Sequence, residues 1–166
     1  MIELVVVGLG GNVGTEAAII ERFGHVRAGL TTLGAVRSAP LYRSAPIGPA
    51  QPAFLNTAVC VAVDDGRPAE VMASLHTLER VLGRSRERED RWGPRPIDID
   101  MLVWGDRILR TPELEVPHPR LAERKFALAP LVDLLGEGFV IPGLGPAGDL
   151  LRAVAGQTCD QIAEIW

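Results

Sequence analysis

Apolar residues along the chain follow two periodicities, one typical of strands and one of helices, and the two alternate. Short, almost continuous apolar runs predict buried strands over residues 3–10, 54–63 and 97–104. Apolar residues at helical spacing predict a helix that begins near Thr15 and a second one over residues 69–83. Residues 84–96 are charged, interrupted by Gly and Pro and not periodic, so they predict a loop between the second helix and the third strand.

The rest of the chain is rich in proline and glycine, which shortens the elements it can form. A strand is predicted near residues 35–42, followed by a stiff proline-containing loop. Residues 107–166 predict short helices separated by prolines and glycines. The sequence has no internal repeat and no long linker. It therefore predicts one α+β sandwich domain over residues 1–166, with helices packed on a mixed or antiparallel sheet.

Composition and charge narrow the class of protein. The 166 residues are 47% hydrophobic and 23% charged, which is typical of a soluble globular domain. The net charge of −4 argues against nucleic acid or an anionic membrane as a partner. Because the first apolar run is too short for a signal sequence or a membrane span, we expect a cytoplasmic protein. Cys60 and Cys159 lie far apart and predict reduced thiols rather than a zinc site.

The N-terminal segment VVVGLGGNVG is similar to a dinucleotide-binding turn but does not match it. The G-x-G-x-x-G pattern fails at Val13, and no acidic residue that could bind a ribose occurs between Glu21 and Asp64. A P-loop is excluded because the single lysine of the chain, Lys125, is far from these glycines. The glycines therefore predict a tight turn between the first strand and the first helix.

Two acidic residues interrupt the third apolar strand. Asp98 and Asp100 are two residues apart and project from the same face, whereas Ile97, Ile99 and Met101 project into the core. Two neighbouring carboxylates repel each other unless a cation lies between them, and Mg²⁺ binds one or two carboxylates together with substrate phosphates. A solvated strand end is the simpler interpretation of an isolated D-x-D pattern, so the choice depends on what lies nearby.

A run of arginines leads directly into the two acids. The loop contains Arg84, Arg86, Arg88, Arg91 and Arg95. Guanidinium groups fit phosphate oxygens and keep their charge near neutral pH. Acids are interleaved among them, so a self-paired surface loop is the alternative. Carboxylates for a metal beside arginines for phosphate favour the handling of a nucleoside triphosphate without a P-loop.

Two further segments indicate recognition of a small molecule. Phe54 and Asn56 lie on one face of a strand, where an aromatic ring and an amide can bind a flat heterocycle. The segment VPHPRLAERKF adds a second aromatic ring and more phosphate donors: His118, Arg120, Arg124 and Phe126. Taken singly, such phenylalanines are more often core residues, and a histidine between two prolines is more often part of a rigid turn.

Four blocks occur in order along residues 4–135: GLGGNVG, LYRSAPIGPAQPAFLNTAV, RWGPRPIDIDMLVWGD and VPHPRLAERKFALAPL. With these motifs the sequence resembles the 6-hydroxymethyl-7,8-dihydropterin pyrophosphokinases of folate biosynthesis. The resemblance implies a ferredoxin-like α+β fold. It also implies a Mg²⁺-dependent diphosphokinase that transfers pyrophosphate from ATP to the hydroxymethyl group of the pterin and releases AMP.

The resemblance also assigns roles to positions of this sequence. It implies that Asp98 and Asp100 hold two Mg²⁺ ions and that they act in catalysis with Arg84 and Arg95. The implied pterin-binding residues are Ser44, Pro46, Ile47, Phe54, Asn56 and Phe126. The implied ATP-binding residues are Glu79, Arg84, Trp92, Arg95, His118 and Arg124.

Two other classes of function compete with this one. A non-catalytic nucleic-acid-binding module is possible on a ferredoxin-like sheet, but the acidic net charge and the 5% aromatic content argue against it. An oxidoreductase that uses the N-terminal glycines is disfavoured by the failed dinucleotide pattern. We therefore expect ATP and the pterin as small-molecule partners, no nucleic acid, no membrane, and a monomer.

Overall fold

The computed structural model describes residues 1–64, 68–85 and 92–166. The strands are β1 (Ile2–Gly11), β2 (Val36–Ser38), β3 (Leu41–Ser44), β4 (Phe54–Asp64), β5 (Asp98–Trp104), β6 (Leu109–Arg110), β7 (Glu115–Val116), β8 (Val140–Ile141), β9 (Gly145–Pro146) and β10 (Cys159–Ala163). The helices are α1 (Glu16–Leu30), α2 (Pro68–Val81), α3 (Lys125–Leu135) and α4 (Ala147–Ala153), and a 3-10 turn covers Leu121–Glu123. The first helix begins where the sequence predicts, since the hydroxyl of Thr15 accepts a hydrogen bond from the Ala18 N–H and caps it.

A six-stranded sheet with the order β10-β3-β4-β1-β5 forms the centre of the protein, and β2 also pairs with β4. Its strand pairs are antiparallel. The two longest strands, β1 and β4, pair along their whole length from Ile2 opposite Asp64 to Gly11 opposite Leu55. The predicted α+β sandwich on an antiparallel sheet is confirmed.

Both faces of the sheet are covered, so the central strands are apolar on both sides. On one face, Val5 and Val7 pack in a core with Phe23 of α1 and Leu75 of α2. On the other face, Val6 packs in a second core that includes α3 and Ala147 of α4. Burial on both faces explains why β1 and β4 read as continuous apolar runs rather than as an alternating pattern.

Two parts of the predicted secondary structure are wrong in detail. The strand predicted near residues 35–42 is divided into β2 and β3 at Pro40. Proline has no backbone N–H, so it cannot donate a hydrogen bond to β4. The region predicted as short helices, residues 107–166, contains α3 and α4 but also five strands from β6 to β10. These strands are two to five residues long, too short to produce a readable periodicity.

The C-terminal strand β10 completes one edge of the sheet by pairing with β3, from Cys159 opposite Ser44 to Ala163 opposite Leu41. Cys159 and Cys60 are both buried and carry free thiols, in agreement with the sequence-based prediction. No helix in the described ranges is long and apolar enough to cross a membrane.

Candidate active site

A cavity of about 370 Å³ opens where the ends of β1, β4 and β5 meet the segments around residues 44–47, 92–95 and 118–127. Most of the residues predicted from the sequence line it: Ser44, Ile47, Phe54, Asn56, Arg84, Trp92, Arg95, Asp98, Asp100, His118, Arg124 and Phe126. Pro46 lines an adjoining cavity of about 290 Å³, which shares Ser44, Ile47 and Phe126 with the first. The structure therefore brings together residues that are up to 82 positions apart, from Ser44 to Phe126.

Asp98 and Asp100 project into this cavity from the first residues of β5. Their side chains are 23% and 32% exposed, respectively. Ile97, Ile99 and Met101 are buried in the core that contains α1 and α2. The alternation predicted for this strand is thus present, and it places both carboxylates on a strand that is hydrogen-bonded to β1 and anchored in the core by its opposite face.

The two carboxylates have different electrostatic surroundings. Asp98 accepts hydrogen bonds from Arg84 and from Arg95, the latter at 2.8 Å. Burial opposes the ionisation of Asp98, but the two guanidinium groups outweigh it and lower the pKa of this carboxyl. For Asp100, burial and the charge of Asp98 raise the pKa to about 7, and Arg124 only partly opposes them. Asp100 therefore lacks the close compensation that Asp98 has.

His118 faces Asp100 with its Nε2 atom 3.8 Å from the carboxylate. Its backbone N–H donates to the Leu102 carbonyl at 2.9 Å, and its Nδ1 accepts from the Arg120 N–H at 3.1 Å. An accepting Nδ1 leaves the proton of the neutral ring on Nε2. Burial and the charge of Arg124 lower the pKa of His118 to about 4, so at neutral pH the ring is an uncharged donor pointing into the cavity.

Arg124 contributes a buried donor that no other residue in the described ranges satisfies. Its Nε has no hydrogen-bond partner among the described residues, and its Nη1 lies 3.9 Å from Asp100. The guanidinium group lies over the Phe126 ring at 5.6 Å from the ring centre. Because a buried unsatisfied N–H is costly, its presence beside the cavity indicates a position where a ligand oxygen can be accepted.

A less polar part of the cavity lining adjoins these charged groups. Phe54 and Phe126 line it, and Asn56 is buried with 3% exposure. The Asn56 amide donates to the Ser44 hydroxyl at 2.7 Å, which orients the side chain. A flat ring with hydrogen-bonding edges fits such a combination of aromatic faces and a fixed amide.

Glu79 does not line the cavity but lies behind it. This residue on α2 is 1% exposed, and its carboxylate accepts hydrogen bonds from Arg84 and from the Ile99 N–H, the latter at 2.8 Å. Its position supports Arg84 and the start of β5. Direct contact with ATP, which the resemblance implies for this position, stays a prediction.

Asn12 is part of the site, although its sequence context did not predict a role. This buried residue exchanges two hydrogen bonds with the Arg95 backbone, at 2.8 and 2.9 Å. Its amide also donates to Gln51 and to the Pro52 carbonyl, while Gln51 donates to the Trp92 carbonyl at 2.6 Å. These bonds connect the segments at Asn12, at residues 51–52 and at residues 92–95, and they fix the backbone of Arg95. A polar residue that directly follows a buried strand was the only available signal.

Gly8 and Gly10 form part of the floor of the cavity, and the tight turn predicted for the glycine segment follows β1 rather than including these two residues. Gly8 and Gly10 lie inside β1, and the first positive φ of the segment occurs at Gly14, at 93°. Gly10 sits between Asn56 of β4 and Asp98 of β5. A Cβ atom there would lie 3.3 Å from the Asn56 Oδ1 and 3.9 Å from the Asp98 Cβ. The missing side chains thus leave room between the amide and the acids.

Filling this floor is expected to block the cavity. Gly10→Val should weaken the binding of an aromatic ligand by roughly tenfold or more, because its two methyl groups occupy space beside Asn56, and tenfold corresponds to only about 1.4 kcal/mol. Ligand titration by fluorescence would measure the loss. Gly24→Ala on α1 is the matched control, since nothing lies within 4 Å of a Cβ atom there. Equal binding by Gly10→Val and the unsubstituted chain would contradict the role of Gly10.

Some predicted features fall outside the described part of the chain. Arg86, Arg88 and Arg91 of the predicted arginine loop lie in the range 86–91, outside the described residues. Arg84 and Arg95 lie near the two ends of the predicted loop, residues 84–96, and both contact Asp98. Arg120, which the sequence predicts only as a phosphate donor, lines the cavity. Its guanidinium carbon lies 5.1 Å from the centre of the Trp92 ring.

The described residues suit a metal ion whose ligands come only partly from the protein. No group of three or more His, Cys, Asp or Glu residues that could hold a metal occurs within the described ranges. Two carboxylates that open into a cavity with phosphate-type donors are the donor set that Mg²⁺ uses when water and substrate phosphates complete its shell.

Comparison with known proteins agrees with this geometry. Residues 6–136 match the family model of 7,8-dihydro-6-hydroxymethylpterin-pyrophosphokinase. A 2-amino-4-hydroxy-6-hydroxymethyldihydropteridine pyrophosphokinase of Pseudomonas aeruginosa is 38% identical over 135 residues, covering 81% of this chain and 82% of that protein. The enzyme of the same name from Synechocystis sp. is 36% identical over 132 residues, covering 78% of this chain and 65% of that protein.

Larger proteins contain the same unit. The mitochondrial folate synthesis bifunctional protein of Arabidopsis thaliana is 41% identical over 138 residues, covering 80% of this chain, which spans only 23% of that relative. The crystal structure of wild-type Plasmodium falciparum HPPK-DHPS superposes with a TM-score of 0.68 at 14% identity, covering 92% of this chain and 41% of that chain. This likeness confirms the predicted ferredoxin-like fold.

Proposed function

The chain belongs to the 7,8-dihydro-6-hydroxymethylpterin-pyrophosphokinase family, and on that premise we propose that it transfers pyrophosphate from ATP to 6-hydroxymethyl-7,8-dihydropterin. The products are AMP and the pyrophosphorylated pterin of folate biosynthesis. One observation carries the proposal: a single cavity places an aromatic and amide pocket next to two carboxylates and several arginines.

The pterin is proposed to bind at the less polar end of the cavity. Phe54 and Phe126 supply faces for the ring, and Asn56 supplies a fixed amide for its edge, with Ser44 orienting that amide. Ile47 and Pro46 belong to the loop that separates this end from the adjoining cavity. The pterin hydroxymethyl group then points toward Asp98 and Asp100.

The triphosphate is proposed to bind at the cationic end. Arg84, Arg95 and Arg124 offer guanidinium groups, and the neutral His118 offers its Nε2–H. Trp92 lines the same end and covers it from the loop side. The unsatisfied Nε of Arg124 is a donor that a phosphate oxygen satisfies.

Asp98 and Asp100 are proposed to hold Mg²⁺, with two ions per site as the family resemblance implies. Bound Mg²⁺ supplies charge neutralisation and alignment of the triphosphate. The protein residues do the remaining work: the rigid strand β5 fixes the acids, the arginines stabilise charge that develops on the transferred group, and the aromatic pocket holds the pterin oxygen in line. His118 donates a hydrogen bond instead of accepting a proton, so positioning and charge stabilisation account for catalysis here.

We further propose a cytoplasmic monomer that acts on these two small molecules. The net charge of −4 makes nucleic acid an unfavourable partner. No observation on the described residues favours the nucleic-acid-binding alternative or a dinucleotide-dependent oxidoreductase, since Gly8 and Gly10 lie within a strand rather than at a helix N-terminus.

Product analysis tests the proposed reaction. The purified chain is incubated with Mg²⁺, ATP and 6-hydroxymethyl-7,8-dihydropterin, and AMP is resolved from ADP by chromatography. We expect AMP in amounts equal to the pterin product, and none above background when the pterin is omitted. Removal of Mg²⁺ with a chelator should abolish the reaction, because the triphosphate charge is then not neutralised.

Each other outcome has a definite meaning. Pterin-dependent ADP would replace pyrophosphoryl transfer with ordinary phosphoryl transfer. Binding of ATP without either nucleotide product would show that the family scaffold serves another acceptor in this chain. Unchanged activity in the presence of excess chelator would overturn the assignment of Asp98 and Asp100 to Mg²⁺.

A further inference from the structure

Asp98, one of the two carboxylates assigned to the metal, already contacts two arginine side chains of the protein. Arg84 contacts one oxygen of Asp98, and Arg95 contacts the other oxygen at 2.8 Å. Asp100, by contrast, has the Arg124 guanidinium group 3.9 Å away and the neutral His118 ring 3.8 Å away. A metal ion can therefore approach Asp100 directly, whereas at Asp98 it must compete with two guanidinium groups.

Arg84 is held in this position from behind. Its side chain is 5% exposed and also contacts Glu79, whose side chain is 2% exposed. Glu79 in turn accepts the Ile99 N–H at 2.8 Å, next to Asp98 on β5. Arg84 thus bridges a buried carboxylate that stays in place and a cavity carboxylate that a ligand can reach, and breaking either contact is costly because it leaves a largely buried charge without full compensation.

We propose that Arg84 is an internal cation that occupies the metal-binding oxygen of Asp98 in the nucleotide-free protein and is transferred to the phosphates when metal and nucleotide bind together. This inference rests on the proposed function, because it takes the metal and the triphosphate as the ligands. Glu79 keeps Arg84 beside the cavity throughout the exchange, so the guanidinium group moves between two anions without leaving the site.

The exchange makes the binding of metal depend on the binding of phosphate. A metal ion alone must break the contact between Arg84 and Asp98 without supplying the guanidinium group with another anion in exchange. A metal ion that arrives with a triphosphate supplies Arg84 with a new anionic partner, so the contact is replaced instead of lost. Arg84 is therefore expected to oppose metal binding before nucleotide binds and to support it afterwards.

Calorimetric titration with Mn²⁺, in the absence of any nucleotide or pterin, tests this directly. Mn²⁺ is a suitable probe because carboxylate and water oxygens bind it as they bind Mg²⁺. Arg84→Ala is expected to bind Mn²⁺ roughly tenfold more tightly than the unsubstituted chain, since about 1.4 kcal/mol of lost competition corresponds to that factor. The control Arg120→Ala also removes one positive charge from the cavity lining, but the Arg120 guanidinium is bonded to Glu123 at 3.0 Å. It should change the Mn²⁺ affinity by less than about threefold, as a screened charge effect.

A second titration includes a non-hydrolysable ATP analogue, with AMP as the comparison ligand. The unsubstituted chain should bind Mn²⁺ more tightly with the analogue than with AMP, because AMP lacks the outer phosphates that replace Asp98 as the partner of Arg84. In Arg84→Ala this difference should shrink by roughly a hundredfold, because the variant is expected to bind Mn²⁺ about tenfold more tightly without the outer phosphates and about tenfold less tightly with them. The effect of Arg84→Ala on the Mn²⁺ affinity therefore has opposite signs in the two titrations. A purely structural role of Arg84 would not produce this reversal.

Removing Arg84 leaves Glu79 buried without its cation, which can prevent folding. The double variant Glu79→Gln with Arg84→Ala removes both charges and keeps an oxygen that can accept the Ile99 N–H, and it should show the same tighter binding of Mn²⁺. Weaker or unchanged Mn²⁺ affinity in a folded variant would overturn the inference. Neither titration involves turnover. The Mn²⁺ affinities can therefore be interpreted even if no AMP is formed, and a negative result in the titrations does not contradict the proposed reaction.

Discussion

Asp98→Asn and Asp100→Asn are each expected to lower turnover by roughly 10³-fold at saturating ATP and pterin. Each substitution removes one of the two carboxylates that open into the cavity from β5. Asparagine keeps the size of the side chain but lacks the charge that holds a divalent cation. The measurement is the rate of AMP formation, accompanied by a Mn²⁺ titration that reports the loss of the metal site separately.

Controls separate loss of chemistry from loss of structure. Asp98→Asn also weakens the contacts to Arg84 and Arg95, so thermal unfolding must show that the variant is folded at the assay temperature. Asp106→Asn is the matched control, because Asp106 is exposed and follows the opposite end of the same strand. Full activity in a folded Asp98→Asn or Asp100→Asn variant would remove the metal assignment.

Arg95→Ala is expected to reduce turnover by roughly 10²–10³-fold while pterin affinity changes by less than about threefold. Arg95 contacts Asp98 at 2.8 Å among the charged residues of the cavity, whereas the proposed pterin residues Phe54 and Asn56 belong to β4. Its guanidinium group thus acts on charge that develops during transfer. Turnover at saturation and pterin affinity by fluorescence titration are measured on the same preparation.

Two further variants define the role of this arginine. Arg95→Lys keeps the charge but not the planar pair of donors, so it should recover only part of the lost turnover. Arg110→Ala removes a guanidinium group whose side chain is 80% exposed, and it should leave turnover unchanged. An Arg95→Ala variant that bound pterin poorly yet reached normal turnover at saturation would place Arg95 in the pterin pocket instead.

The sequence alone determined the central strands, the first two helices and the side of β5 that carries the acids. These features follow from local periodicity, because alternation along β5 fixes the side chains of Ile99 and Asp98 to opposite faces regardless of what packs nearby. The order of four motif blocks was also sufficient to identify the family, which the match over residues 6–136 confirms.

Short elements escaped the sequence analysis, because their formation depends on partners. The strand β10 forms by pairing with the edge of β3. The sequence of Cys159–Ala163 has no apolar alternation from which a strand could be predicted. Gly8 and Gly10 were interpreted as a turn, because glycine is usual in turns. Their actual role depends on strands β4 and β5, which place Asn56 and Asp98 on either side of Gly10, and Ala58 and Asp100 on either side of Gly8.

Only the tertiary structure decided how the charged residues share their partners. The sequence shows Glu79, Arg84 and Asp98 as separate positions on a helix, a loop and a strand, respectively. Their contacts arise where α2 ends against the start of β5, and the same packing separates Asp98, which is neutralised by arginines, from Asp100, which is not. A periodic pattern determines which way a side chain faces, whereas the charge it meets depends on chain segments that pack there from elsewhere in the sequence.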